Sequence, residues 1–211
     1  MAKYIPLFPL SIVAFPGEKL NLHVFEPRYK QLVLDCTTEG KTFGIPTFIN
    51  NGVGEYGTEL EILRVEKKYV NGEMDIRARG LHVIKINRFD RMAPGRLYAG
   101  GEVEEVEDNA EEDIVVKQQI REMLVKLYEA LGISKLFLEL PDNFKSFDIA
   151  HNLGLSTEQE YALLQLPDES VRQDIILLHL QQILPVVRET ELLKERARLN
   201  GHFKHLTPPN F

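Results

Sequence analysis

The hydrophobic period changes along this chain, and that change constrains the fold more than any other feature. From Thr58 to Tyr69 the apolar Leu60, Ile62 and Val65 stand among polar residues, and beyond Asn71-Gly72 the residues Met74, Ile76 and Ala78 alternate with charged ones. A period of two sends successive side chains to opposite faces of a strand, so this stretch predicts half-buried β-structure with Asn-Gly as a hairpin turn. Gly80 punctuates the pattern before a strand at His82 to Ile86, and Tyr98 to Val106 predicts another. Short strands divided by Gly and Pro turns imply a small barrel or sandwich.

The acidic run Glu102 to Asp113 marks the change of character. After it Val116, Ile120, Met123, Leu124, Leu127, Tyr128 and Leu131 recur at steps of three and four, which predicts an amphipathic helix stopped by Gly132. Ser146 to Leu153 predicts a short helix closed by Gly154, and Thr157 with Glu160 reads as the capping box of the next, ending before Pro167. A longer helix is expected from Glu169 to Leu184, kinked or ended by Pro185 and resumed over Glu189 to Leu199. The expected class is α+β, with a β-rich first subdomain over residues 1–108 and a helical second one over 109–211.

Composition limits what such a chain can do. Ile5 to Phe15 has the length and greasiness of a secretory core, but Pro6 and Pro9 would break its helix and no small-x-small cleavage site follows. No stretch approaches the roughly 18 uninterrupted apolar residues of a membrane span. A soluble, cytoplasmic protein without membrane association is expected. The lone Cys36 excludes an intrachain disulfide. A formal charge of −7, from 32 acidic and 25 basic side chains, argues against nucleic acid as a partner.

Catalytic signals do not survive inspection. Gly40-Lys41-Thr42 resembles the close of a phosphate loop, but Asp35 stands where that loop needs glycine, and a helix from about Pro27 to Leu34 precedes the tripeptide rather than following it. His202 and His205 stand near the closing prolines with no acidic or cysteine partner beside them, and read as part of a loose tail. His23, His82, His151 and His179 are scattered, and Cys36 reads as a half-buried structural thiol. No G-x-S-x-G, H-E-x-x-H or G-x-G-x-x-G motif occurs. No catalytic residue, metal ligand or cofactor is expected.

The opening segment holds two further candidates. In Glu26-Pro27-Arg28-Tyr29 the proline suits the first turn of a helix and Arg28 can pair with Glu26, which makes these four a structural corner. Phe15-Pro16-Gly17 predicts a turn whose aromatic tip would be wasted in solvent, so Phe15 and Pro16 are the expected polypeptide-binding residues.

The order P-L-F-P-L, F-P-G and L-x-L-H-V-F-E-P-R-Y resembles the amino-terminal signature of Lon protease, its substrate-recognition domain. The resemblance continues through Gly44 and Ile45, Gly57-Thr58, Asn71-Gly72, Gly80 and the helical half. It departs at Leu81-His82-Val83-Ile84, where the family often places arginines and an aromatic. It implies a PUA-like β-barrel followed by a helical bundle, and a stand-alone, non-catalytic module without the family's ATPase and serine-lysine peptidase modules. Such a module would bind unfolded or hydrophobic polypeptide segments, with a full-length protease as a further partner. The alternatives are a hydrolase associated with ATP-dependent proteolysis, or an RNA-binding PUA-like protein.

Overall fold

The computed structural model describes residues 2–133 and 140–202, with side chains as far as Arg198. The described elements are β1 (Lys3–Leu7), β2 (Lys19–Val24), α1 (Pro27–Glu39), β3 (Phe43–Ile49), β4 (Gly52–Lys68), β5 (Met74–Asp90), β6 (Ala99–Glu105), α2 (Ile114–Ala130), α3 (Ser146–Ile149), a 3-10 turn at Ala150–Asn152, α4 (Thr157–Leu164) and α5 (Glu169–His202). The fold is mixed α+β around one six-stranded sheet.

The strands run in the order β2-β5-β4-β3-β1-β6, and β6 pairs again with β5, so five strands close a ring and β2 hangs from it as an edge. β5 makes this possible by its length. Its early residues, Met74 to Arg79, pair with β2, and Ile84 to Asp90 pair with β6. Gly80 does not end the strand. Against β4, Leu60 faces Gly80 and Glu59 faces His82, so Leu81 is bulged out and the strand bends instead of stopping.

Alternation sorts the side chains as the period of two requires. Ile76, Ala78 and Leu60 enter one core with Phe8, Tyr29, Leu32 and Phe43, while Ile84, Ile86 and Val103 enter a second with Ile5 and Leu7. β3 was not legible in the sequence, and β4 begins at Gly52 rather than at Thr58. Asn50 and Asn51 turn the chain between them with φ of 52° and 60°, a primed-turn geometry that asparagine tolerates.

Two compact units account for the chain: Met1–Ala110 with Lys145–Glu169, and Glu111–Phe144 with Ser170–Phe211. α3 and α4 belong to the unit of the sheet. Within that unit Phe147 of α3 stacks on Phe15. In the other unit, Asp113 caps α2 by accepting from the amides of Val115 and Val116, and Ile120, Leu124, Leu127 and Tyr128 are buried. α5 runs unbroken through Pro185. Proline there frees the carbonyl of Gln181, whose residue is exposed, so water can satisfy it. The capping box of α4 lies one residue earlier than expected, between Ser156 and Gln159.

Candidate functional site

The four residues of the Glu-Pro-Arg-Tyr corner form the start of α1. Glu26 is the N-cap residue in extended geometry and Pro27 follows in the first turn, where a missing amide costs nothing. Arg28 bridges back to Glu26 at 2.8 Å and lies 4.5 Å over the ring of Tyr29. Tyr29 is buried and stacks on Phe8 with centroids 3.8 Å apart. Phe8 belongs to the P-L-F-P-L stretch, so the two motifs are two sides of one packing contact.

Phe15, expected with Pro16 to bind polypeptide, is not exposed at the tip of its turn. It is 0% exposed, against Phe147 at 5.1 Å and His151 at 4.9 Å between ring centroids, and Pro16 is half-buried. The turn docks onto β5: Gly17 donates to the carbonyl of Gly80 at 3.0 Å, and Gly80 donates to that of Glu18 at 2.9 Å. A Cβ on Gly80 would stand 2.2 Å from the carbonyl oxygen of Phe15, which explains that glycine, while Gly17 supplies the φ of 82° that the turn requires. The turn avoids wasting its aromatic by burying it inside its own unit.

Of the scattered histidines, His23, His82 and His151 are held in ion pairs. His151 sits between Glu160 at 2.8 Å and Glu18 at 3.2 Å. The hydrogen bond to Glu18, aided by Glu160 against the opposing effect of burial, pushes its pKa up to about 9, so it is cationic at neutral pH. Glu59 is 1% exposed and gathers Lys3, Thr42 and His82. Burial would raise its pKa, but hydrogen bonds from Lys3 and Thr42 and the charges of Lys3 and His82 outweigh that and hold it low.

Gly40-Lys41-Thr42 is the C-terminal turn of α1: Gly40 takes φ 64°, Lys41 pairs with Glu39, and Thr42 donates to Glu59. Burial and the neighbouring Asp35 push the Cys36 thiol up to about 12, so it is no nucleophile. Among the described residues, no group of three or more His, Cys, Asp or Glu is arranged to hold a metal ion. His205 lies outside the described residues, as does the side chain of His202.

What the unit of the sheet leaves open is a strand edge beside an apolar cleft. β2 pairs only with β5, and among the described residues no backbone group bonds to its outer edge. Leu20, Leu22 and Val24 face the core, while Lys19, Asn21 and His23 are exposed. At the end of this strand Phe25, 58% exposed, stacks on His23, and His23 meets the edge of Tyr69. Asp75 fixes the two rings by accepting from Tyr69 at 2.7 Å and bonding His23 Nδ1 at 2.7 Å. The His23 bond, with that from Tyr69, lowers the Asp75 pKa, and Asp75 in turn raises that of His23.

Tyr69 also lines a cleft of about 430 Å³ with Leu34, Met74, Leu97, Lys30 and Lys68. Two hydrogen bonds pin its rims to α1: Lys30 to the Asn71 carbonyl at 3.1 Å, and the Leu97 amide to Gln31 at 2.8 Å. Sequence reasoning missed these residues. Leu34 carried a readable signal, because it falls off the buried stripe Tyr29, Leu32, Val33, Cys36 and places a leucine on the polar side of an amphipathic helix. Leu97 and Phe25 carried none, since an apolar residue in a loop looks the same buried or bare.

Among the described residues, no helix is long and apolar enough to cross a membrane.

Similarity to known proteins agrees with this architecture. A Lon N-terminal domain protein from Xanthomonas campestris superposes with a TM-score of 0.65 at 27% identity, over 83% of this chain and 98% of that one. The N-terminal domain of a Mycobacterium avium complex Lon protease shares the fold, with a TM-score of 0.63 at 18% identity over 85% of this chain and 98% of that one. A LON peptidase N-terminal domain and RING finger protein of Schizosaccharomyces pombe is 31% identical over 105 residues, 41% of this chain, and the match spans only 21% of that protein. The family description of the ATP-dependent protease La (LON) substrate-binding domain matches residues 4–182, most of the chain. The chain therefore belongs to the Lon substrate-binding domain family.

Proposed function

We propose that this chain is a non-catalytic polypeptide-binding module that takes up extended, apolar segments of unfolded proteins along the β2 edge and in the adjoining cleft. The observation that carries the reading is the unpaired β2 edge, with exposed Phe25 at its end and His23 meeting Tyr69 of the cleft that exposed Leu34 and Leu97 line. An incoming strand gains main-chain hydrogen bonds from such an edge, and its alternate side chains fall into flanking apolar recesses. Membership of a substrate-binding family supports a polypeptide as the partner.

The reading treats the closed sheet as a PUA-like barrel and the helical unit as a bundle, forming the two subdomains of one Lon N-terminal domain. It places the protein in the cytoplasm, with a full-length protease as a second partner and neither nucleic acid nor membrane. Anisotropy of labelled, reduced and carboxymethylated lactalbumin tests it. Saturable binding that native lactalbumin does not compete is expected, and no binding at micromolar protein would refute the reading. Neither ATP nor casein should be cleaved. Casein cleavage lost on mutating a residue of this chain would refute the non-catalytic part.

A further inference from the structure

Resting on that reading, we infer that the cleft between α1 and the β4–β5 hairpin selects segments in which a bulky apolar side chain is flanked by carboxylates. The interior of the cleft is apolar, formed by Leu34, Tyr69, Met74 and Leu97, but its charged lining has one sign only. Lys30 and Lys68 stand at it and no carboxylate does. Among the described residues, neither ammonium has a carboxylate within salt-bridge distance.

The acidic groups of the surrounding elements are already engaged. Asp75 holds His23 and Tyr69, Glu66 holds Arg64 and Arg77, Glu26 holds Arg28, and Asp35 holds Arg96. On a chain with a net charge of −7, a recess lined by two lysines and no acid is a local reversal of sign.

The geometry leaves both lysines usable. Lys30 spends one of its three ammonium hydrogens on the Asn71 carbonyl, so it can donate another to a carboxylate while still pinning the rim. Lys68 closes β4 and is exposed, free to swing over an occupant. A purely apolar segment seated here would cover two ammonium groups and give them nothing in exchange for water. A segment with acidic residues beside its apolar anchor would compensate both. The anchor therefore supplies burial, and the lysines supply discrimination between segments of equal greasiness.

The experiment uses two labelled peptides that share one Leu-Phe core, one flanked by aspartates and one by lysines, titrated with the full chain. The aspartate peptide should bind about three- to tenfold tighter at low salt, the range expected of two exposed charge pairs. That advantage should fade in high salt, shrink in Lys68→Glu and persist in Lys68→Arg. Equal binding of both peptides, or an advantage that Lys68→Glu leaves intact, overturns the inference and spares the polypeptide-binding reading. Binding of neither peptide overturns both. Self-association in sedimentation velocity that Leu34→Asp abolishes would assign the cleft to a second copy of the chain and overturn the inference as well.

Discussion

At the scale of single residues, Phe15 and His151 decide how the sheet's unit is held. Phe15 fills a site with no exposure, so Phe15→Ala leaves a cavity that its rigid neighbours Phe147 and His151 cannot fill. We expect a loss of about 3–5 kcal/mol in denaturant unfolding. A loss below about 1 kcal/mol would mean that the site is not packed core. His151 adds a pH dependence whose sign follows from its raised pKa. Its contribution is complete below the ordinary value of 6.5, declines as pH rises, and is gone once pH passes about 9. The melting temperature of the protein should thus fall between those limits by more than that of His151→Gln. Parallel curves for the two proteins would show that the His151 pairs with Glu18 and Glu160 contribute nothing.

At the scale of elements, the docking of the Phe-Pro-Gly turn on β5 is the contact most exposed to a single change. Gly80→Ala inserts a methyl group where the Phe15 carbonyl already stands, so the turn must lift or the strand must move. Overpacking of this kind costs about 1–3 kcal/mol, and thermal unfolding of the variant measures it. An unchanged melting temperature would place the turn off the strand. This contact also shows what periodicity can and cannot reveal. Period two disclosed β5, and steps of three and four disclosed α2, because burial on one face writes itself into the sequence of a single element. Gly80 looked like a stop, since nothing local distinguishes a glycine that ends a strand from one that admits a neighbouring backbone. Phe15 looked exposed for the same reason: its partners Phe147 and His151 lie more than 130 residues away, on a segment that belongs to the unit of the strands. The free edge of β2 was equally hidden, because which strand is left unpaired is a property of the closed ring.

At the scale of the whole molecule, stability and the proposed binding fall to different residues of one unit. The family signature residues Phe8, Phe15, Tyr29 and Gly80 are spent on packing, while the residues available to a partner, Phe25, Leu34 and Leu97, lie at the open end of β2 and around the cleft. The two sets should therefore separate experimentally. The most direct measurement compares wild type with a Phe25→Asp, Leu34→Asp double variant for capture of reduced, carboxymethylated lactalbumin, with melting temperatures taken on the same preparations. Both side chains are more than half exposed, so the variant should melt within a few degrees of wild type. Its affinity for the unfolded protein should drop at least about tenfold, because each substitution removes an apolar contact and puts a charge in its place. A variant that folds and binds as wild type does would contradict the account, by showing that the β2 edge and its cleft are not where this chain holds polypeptide.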